Sequence, residues 1–113
     1  MRTPVTAKAS PDGYIQMMDG ILRKTLVYGE NTLLAEFRLK KGKTLPLHQH
    51  GQEQTGYLVS GQLVLIIAGH RHEMMPGDSW SIPGNVEHGA EIVADSMVIE
   101  AFSPVRQDFL PKD

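Results

Sequence analysis

At 113 residues the chain has the length of one domain, and its 41% hydrophobic and 21% charged residues are an ordinary globular balance. A formal net charge of -2 excludes the basic field that a nucleic acid or an anionic membrane surface requires. The absence of cysteine excludes disulfides and thiolate ligation, so any metal must be held by nitrogen and oxygen donors.

In chain order, residues 1–13 read as an N-terminal arm, 14–103 as a β-barrel and 104–113 as a C-terminal tail, all within one domain (1–113). The arm has no hydrophobic stretch of the kind a secretory signal needs, and no run approaches membrane-spanning length, so a cytoplasmic location is the default expectation. From Tyr14 onward, short apolar segments alternate with turn chemistry, the pattern of an all-β barrel or sandwich. The spacing predicts strands over 21–28, 32–39, 45–50, 54–59, 62–67, 71–74, 79–82, 86–92 and 97–102. Turns are expected at Asp19-Gly20, Gly29-Glu30-Asn31, Lys41-Gly42-Lys43, Ser60-Gly61, Ala68-Gly69-His70, Pro76-Gly77-Asp78, Pro83-Gly84-Asn85 and Asp95-Ser96. Lys40, Lys41 and Lys43 read as a solvated turn. The runs Leu63 to Ala68 and Met97 to Ile99 lack alternation and predict strands covered on both faces, either within a monomer or by a second copy in a homodimer. Ser103-Pro104 ends the last strand, and Phe109 and Leu110 in the tail are expected to pack.

His48 and His50 carry the first chemical signal. Side chains at i and i+2 of a strand share a face, so the two imidazoles form a chelating pair. Imidazole suits several divalent metals, and the pair alone does not name one. His70 and His72 repeat the spacing at a hairpin tip, without further donors nearby in sequence, and read as solvated turn residues.

The spacing around His48 and His50 resembles the cupin family. Its first motif runs Gly, five residues, His-x-His, three or four residues, Glu, six residues, Gly, and is matched by Gly42, His48, His50, Gln54 and Gly61. Its second runs Gly, five residues, Pro-x-Gly, two residues, His, and is matched by Gly77, Pro83 and His88, with Asn85 at the second Gly. The resemblance covers about residues 20–110 and implies a double-stranded β-helix barrel of the jelly-roll type. It further implies one divalent metal, Zn, Ni, Mn or Fe, held by His48, His50, Gln54 and His88. Asn also enters left-handed backbone, so the turn at Asn85 tolerates the change. Gln54 is the consequential departure, because an amide oxygen is a weaker, neutral donor and leaves the full charge on the ion. Glu53 is the rival ligand; in a regular strand it points away from the face that Gln54 occupies, and Gln52 competes only if the loop after His50 curls inward.

Glu100 lies in an otherwise apolar strand and shares a face with Phe102. A buried carboxylate there needs a partner, either Arg106 in a structural ion pair or a ligand in the pocket. The His-x-His-x3-Gln set together with the terminal Glu100-x-Phe102-Ser103-Pro104-x-Arg106 segment is similar to the small cupins of pectin and alginate breakdown that linearise 4,5-unsaturated monouronates. Residues 23–31 are also similar to the opening strands of those proteins. That likeness implies a carbohydrate-metabolism enzyme with a sugar-acid substrate. Glu100 and Arg106 would be catalytic, Phe102 and Arg106 substrate-binding, and the metal would polarise substrate oxygens. Glu in place of the Asp of those proteins moves the carboxyl by one methylene. Two rivals stand beside this reading, an Fe(II)-dependent dioxygenase and a non-catalytic sugar-binding or sensor cupin.

Overall fold

The computed structural model describes residues 3–111, so the outermost residues of the expected arm and tail lie outside the described residues. Among the described residues eight strands form, β1 (Ile15–Met18), β2 (Ile21–Tyr28), β3 (Leu33–Leu39), β4 (Thr44–His48), β5 (Glu53–Ile67), β6 (His70–Met74), β7 (Ser79–Ile82) and β8 (His88–Ser103). A 3-10 turn follows at Gln107–Phe109. All pairings are antiparallel, in the order β1-β2-β3-β8-β5-β6, with β4 also on β8 and β7 also on β5. Together they make the all-β jelly roll that the sequence predicts.

Alternation sets the inner face. Leu33, Ala35, Phe37 and Leu39 on β3 point inward, as do Leu58 on β5 and Val98 and Phe102 on β8. Ile21, Leu33, Leu58, Leu63, Ile82 and Phe102 are almost fully enclosed. Each such side chain contributes on the order of 2 kcal/mol of transfer free energy.

Two expected turns are bends within long strands. Strands 54–59 and 62–67 are one strand, β5, and 86–92 and 97–102 are one strand, β8; the two pair from Glu53 opposite Ser103 to Ile67 opposite His88. The register shifts between Leu58 and Leu63, where bulges bend the paired strands without breaking the sheet. Gly61 makes this possible: its φ is +96°, and a Cβ there would stand 2.2 Å from Ser96 Oγ and 2.4 Å from the Asp95 carbonyl. The Gln62 amide freed at the bend donates to Ser96 Oγ at 3.0 Å. Turn residues in the sequence therefore marked real irregularities whose pairing continued across them.

Strand β1 is an addition to the predicted set, and β4 stops at His48, two residues earlier than predicted. Of the runs expected to be covered on both faces, Leu63, Val64 and Leu65 are buried in the single chain. On the outer face of β8, Met97 and Ile99 are half-buried beside the exposed Tyr57 and Val59 of β5. Phe109 packs, with rings of Phe102 and Phe37 at 5.3 and 6.1 Å. No helix among the described residues is long and apolar enough to cross a membrane.

Candidate metal centre and its cavity

Three chain segments meet at one end of the barrel. His48 closes β4 opposite His88, the first residue of β8. His50 lies beyond the strand, in the turn that follows, so the strand argument that paired it with His48 does not hold locally. A different contact positions it. The Asn85 amide donates to the His50 carbonyl at 2.7 Å, and a Cβ on Gly84 would fall 2.3 Å from the Gly51 carbonyl, so the two turns are packed backbone to backbone. Asn85 adopts φ +64°, the left-handed conformation that the motif requires there.

Each imidazole is held through Nδ1 by a carbonyl two residues away. The distances are 2.9 Å from His48 to Pro46, 3.0 Å from His50 to Gln52 and 2.8 Å from His88 to Val86. An Nδ1–H that donates to a carbonyl leaves the neutral ring's lone pair on Nε2. The Nε2 atoms of His50 and His88 are buried without a partner, an arrangement that is costly unless something binds them. Burial lowers the pKa of both rings, and the nearby Arg106 charge adds to that, so the neutral, ligating form is favoured. The ligand atoms of the three histidines lie within 4.8 Å of one another. A metal with bonds of about 2.1 Å needs its nitrogens roughly 3 to 3.5 Å apart, which small side-chain rotations supply. The three histidines are thus positioned to hold a metal ion.

Gln54 is 5% exposed and faces this end of the barrel interior, whereas Glu53 is exposed on the other face. Gln52 serves through its carbonyl, as the acceptor for His50. The Gln54 side-chain amide donates through Nε2 to the Glu100 carboxylate. A second donor reaches the same carboxylate oxygen, Trp80 Nε1 at 3.1 Å. Desolvation raises the Glu100 pKa to about 7 against the pull of these two bonds. Trp80 escaped the sequence reading. Its signal was its standing as the one tryptophan, inward on a short alternating strand.

Arg106 pairs with Asp108, at 2.7 and 3.2 Å, so the Glu100–Arg106 ion pair weighed from sequence is not formed. The Arg106 guanidinium lies over the Phe109 ring at 4.0 Å and the Phe102 ring at 5.3 Å. Arg23, 8% exposed, covers Phe109 as well, at 4.0 Å, and donates to its carbonyl. A cavity of about 60 Å³ brings together His48, Gln54, His88, Glu100, Phe102 and Arg106. His70 and His72 stand apart on the exposed β6 hairpin.

An antiparallel jelly roll with a three-histidine cluster inside its mouth defines a metal-site β-barrel of the cupin kind. The chain belongs to the cupin domain family, whose pattern matches residues 35–102. KdgF from Halomonas sp. is 29% identical and superposes with a TM-score of 0.90 over 96% of this chain and 100% of that one. An RmlC-like cupin from Shewanella frigidimarina NCIMB 400 is 25% identical, with a TM-score of 0.89 over 96% of this chain and 97% of that one. Salicylate 1,2-dioxygenase from Pseudaminobacter salicylatoxidans shares the fold alone, at 14% identity and a TM-score of 0.74 over 78% of this chain and 27% of that one. No curated protein matches the chain in sequence.

Proposed function

We propose that the protein is a metal-dependent enzyme that opens the ring of an unsaturated uronate or a closely related sugar acid, with His48, His50, His88 and Gln54 as the metal ligands. The observation that carries this reading is one cavity lined by metal-ligand and acid–base chemistry together: His48, Gln54, His88, Glu100, Phe102 and Arg106. The sequence likeness to the uronate-linearising cupins and the full-length likeness to KdgF support it.

A divalent metal at the histidines supplies Lewis acidity for a substrate oxygen. Arg106 recognises the uronate carboxylate as a two-pronged donor, in exchange for or beside Asp108, which already occupies the guanidinium in that way. Phe102 gives the ring an apolar wall. Glu100 takes the proton from the C1 hydroxyl as the bond from C1 to the ring oxygen breaks, forming the aldehyde. It then returns that proton to C4 as the C4–C5 double bond becomes a single bond and C5 a ketone. The step is an isomerisation, with no oxidant and no net gain or loss of protons. A carboxyl with a pKa of about 7 is suited to both halves of the transfer.

The test is the ultraviolet absorbance of the conjugated double bond, which decays as the ring opens. Decay with metal-loaded protein that is lost in Glu100→Ala supports the reading; unchanged absorbance in both contradicts it. The reading also includes a cytoplasmic homodimer joined through the outer face around Tyr57, Val59 and Ile99, two of which are markedly exposed. A sedimenting dimer that Val59→Asp splits supports that face, and a monomeric wild type excludes it.

A further inference from the structure

Strand β5 runs between β7 and β8, and at one level its residue is Gly56, opposite Trp80 on one side and Glu100 on the other. A Cβ on Gly56 would stand 2.3 Å from Trp80 Cε2 and Nε1. The missing side chain is therefore the space through which the indole crosses β5 to reach Glu100. Trp80 is 9% exposed, and the only polar atom of its side chain, Nε1, makes its bond at 3.1 Å to Glu100 Oε2. The same Oε2 accepts Nε2 of Gln54.

A glutamine can present either end of its amide to a neighbour, and only the oxygen can ligate a metal. In this structure the nitrogen end is given to Glu100 Oε2, which leaves the oxygen at the opposite side of the amide. We propose that Trp80, admitted by Gly56, is a positioning residue for the metal site: by anchoring Glu100 Oε2 it fixes the Gln54 amide with its oxygen toward His48, His50 and His88. This deepens the metal-site reading above and rests on it.

The experiment is a double-mutant cycle of Trp80→Phe and Gln54→Glu, read as Co(II) affinity by calorimetry, with the visible spectrum of the bound ion recorded in each protein. Trp80→Phe keeps the ring and removes the donor. Partners behind a ligand typically carry about tenfold or more in metal affinity. Trp80→Phe should therefore weaken Co(II) binding by about tenfold with Gln54 in place, and should alter the ligand-field spectrum. In the Gln54→Glu background it should have little effect, because a carboxylate presents an oxygen whichever way it turns. Equal losses in both backgrounds would mark Trp80 as a packing residue and overturn the proposal, as would no loss in either while the wild type binds Co(II). A wild type that binds no Co(II) is the distinguishable failure of the metal-site reading itself, and it removes this inference too.

Discussion

Gly56→Ala probes the packing behind the site with a single methyl group. The new Cβ would lie 2.3 Å from the Trp80 indole, against ordinary carbon contacts of about 3.5 Å, so the ring must retreat by roughly 1.2 Å. From its present 3.1 Å, the bond to Glu100 cannot survive that retreat. Overpacking in a close-fitted interior costs about 1 to 3 kcal/mol, and a hydrogen bond to a carboxylate about 1.5 to 3. The two losses share one residue and are not additive, so the expected destabilisation is on the order of 3 kcal/mol, or about 10 °C in Tm. Trp80 is the only tryptophan, so intrinsic fluorescence reports on this ring alone. Urea unfolding followed by its emission should give the lower stability together with a shifted native spectrum. A loss below about 0.5 kcal/mol with an unchanged emission maximum would refute the reasoning.

Two further outcomes follow from the same region. Burial raises the Glu100 carboxyl from 4.5 to about 7, so the folded protein holds this proton more tightly than the unfolded chain. The stability linked to the neutral group is complete below about pH 4.5 and is lost as pH rises to about 7, on the order of 3 kcal/mol in total. His50 and His88, whose values are lowered, act in the opposite direction and are common to wild type and Glu100→Gln. In chelator-treated protein, the stability of wild type relative to Glu100→Gln should therefore fall from pH 5 to pH 7.5, and parallel curves would contradict it. Phe109→Ala removes a ring that is 4% exposed and covered by Arg23 and Arg106, and should lower stability by about 3 kcal/mol in thermal melts. A change under about 1 kcal/mol would mean that the tail packs without holding the barrel.

The class of the fold and its histidine cluster were legible because both rest on local rules. Alternating apolar residues placed Leu33, Ala35, Phe37 and Leu39 inward, and motif spacing brought His48, His50 and His88 together although they come from separate segments. Strand limits were less legible, since Gly61 and Asp95-Ser96 look like turns in sequence. Whether such a residue reverses the chain or bends it depends on the partner strand, and here each bend packs against the other. The Arg106–Asp108 pair and the Trp80–Glu100–Gln54 chain were hidden for a related reason. Arg106 had two carboxylates within reach, and the tail's 3-10 turn decided between them. Trp80 meets Glu100 only because β5 lies between their strands with a glycine at the crossing. No periodicity encodes that contact.

The central claim is that the unpartnered imidazole nitrogens are ligands. It is tested most directly by titrating a divalent metal into chelator-treated protein, with His50→Ala and His88→Ala alongside. The account predicts one saturable site per chain, with affinity lost in both variants while the barrel stays folded. Absence of saturable binding in the wild type, or binding that persists unchanged in both variants, would contradict it.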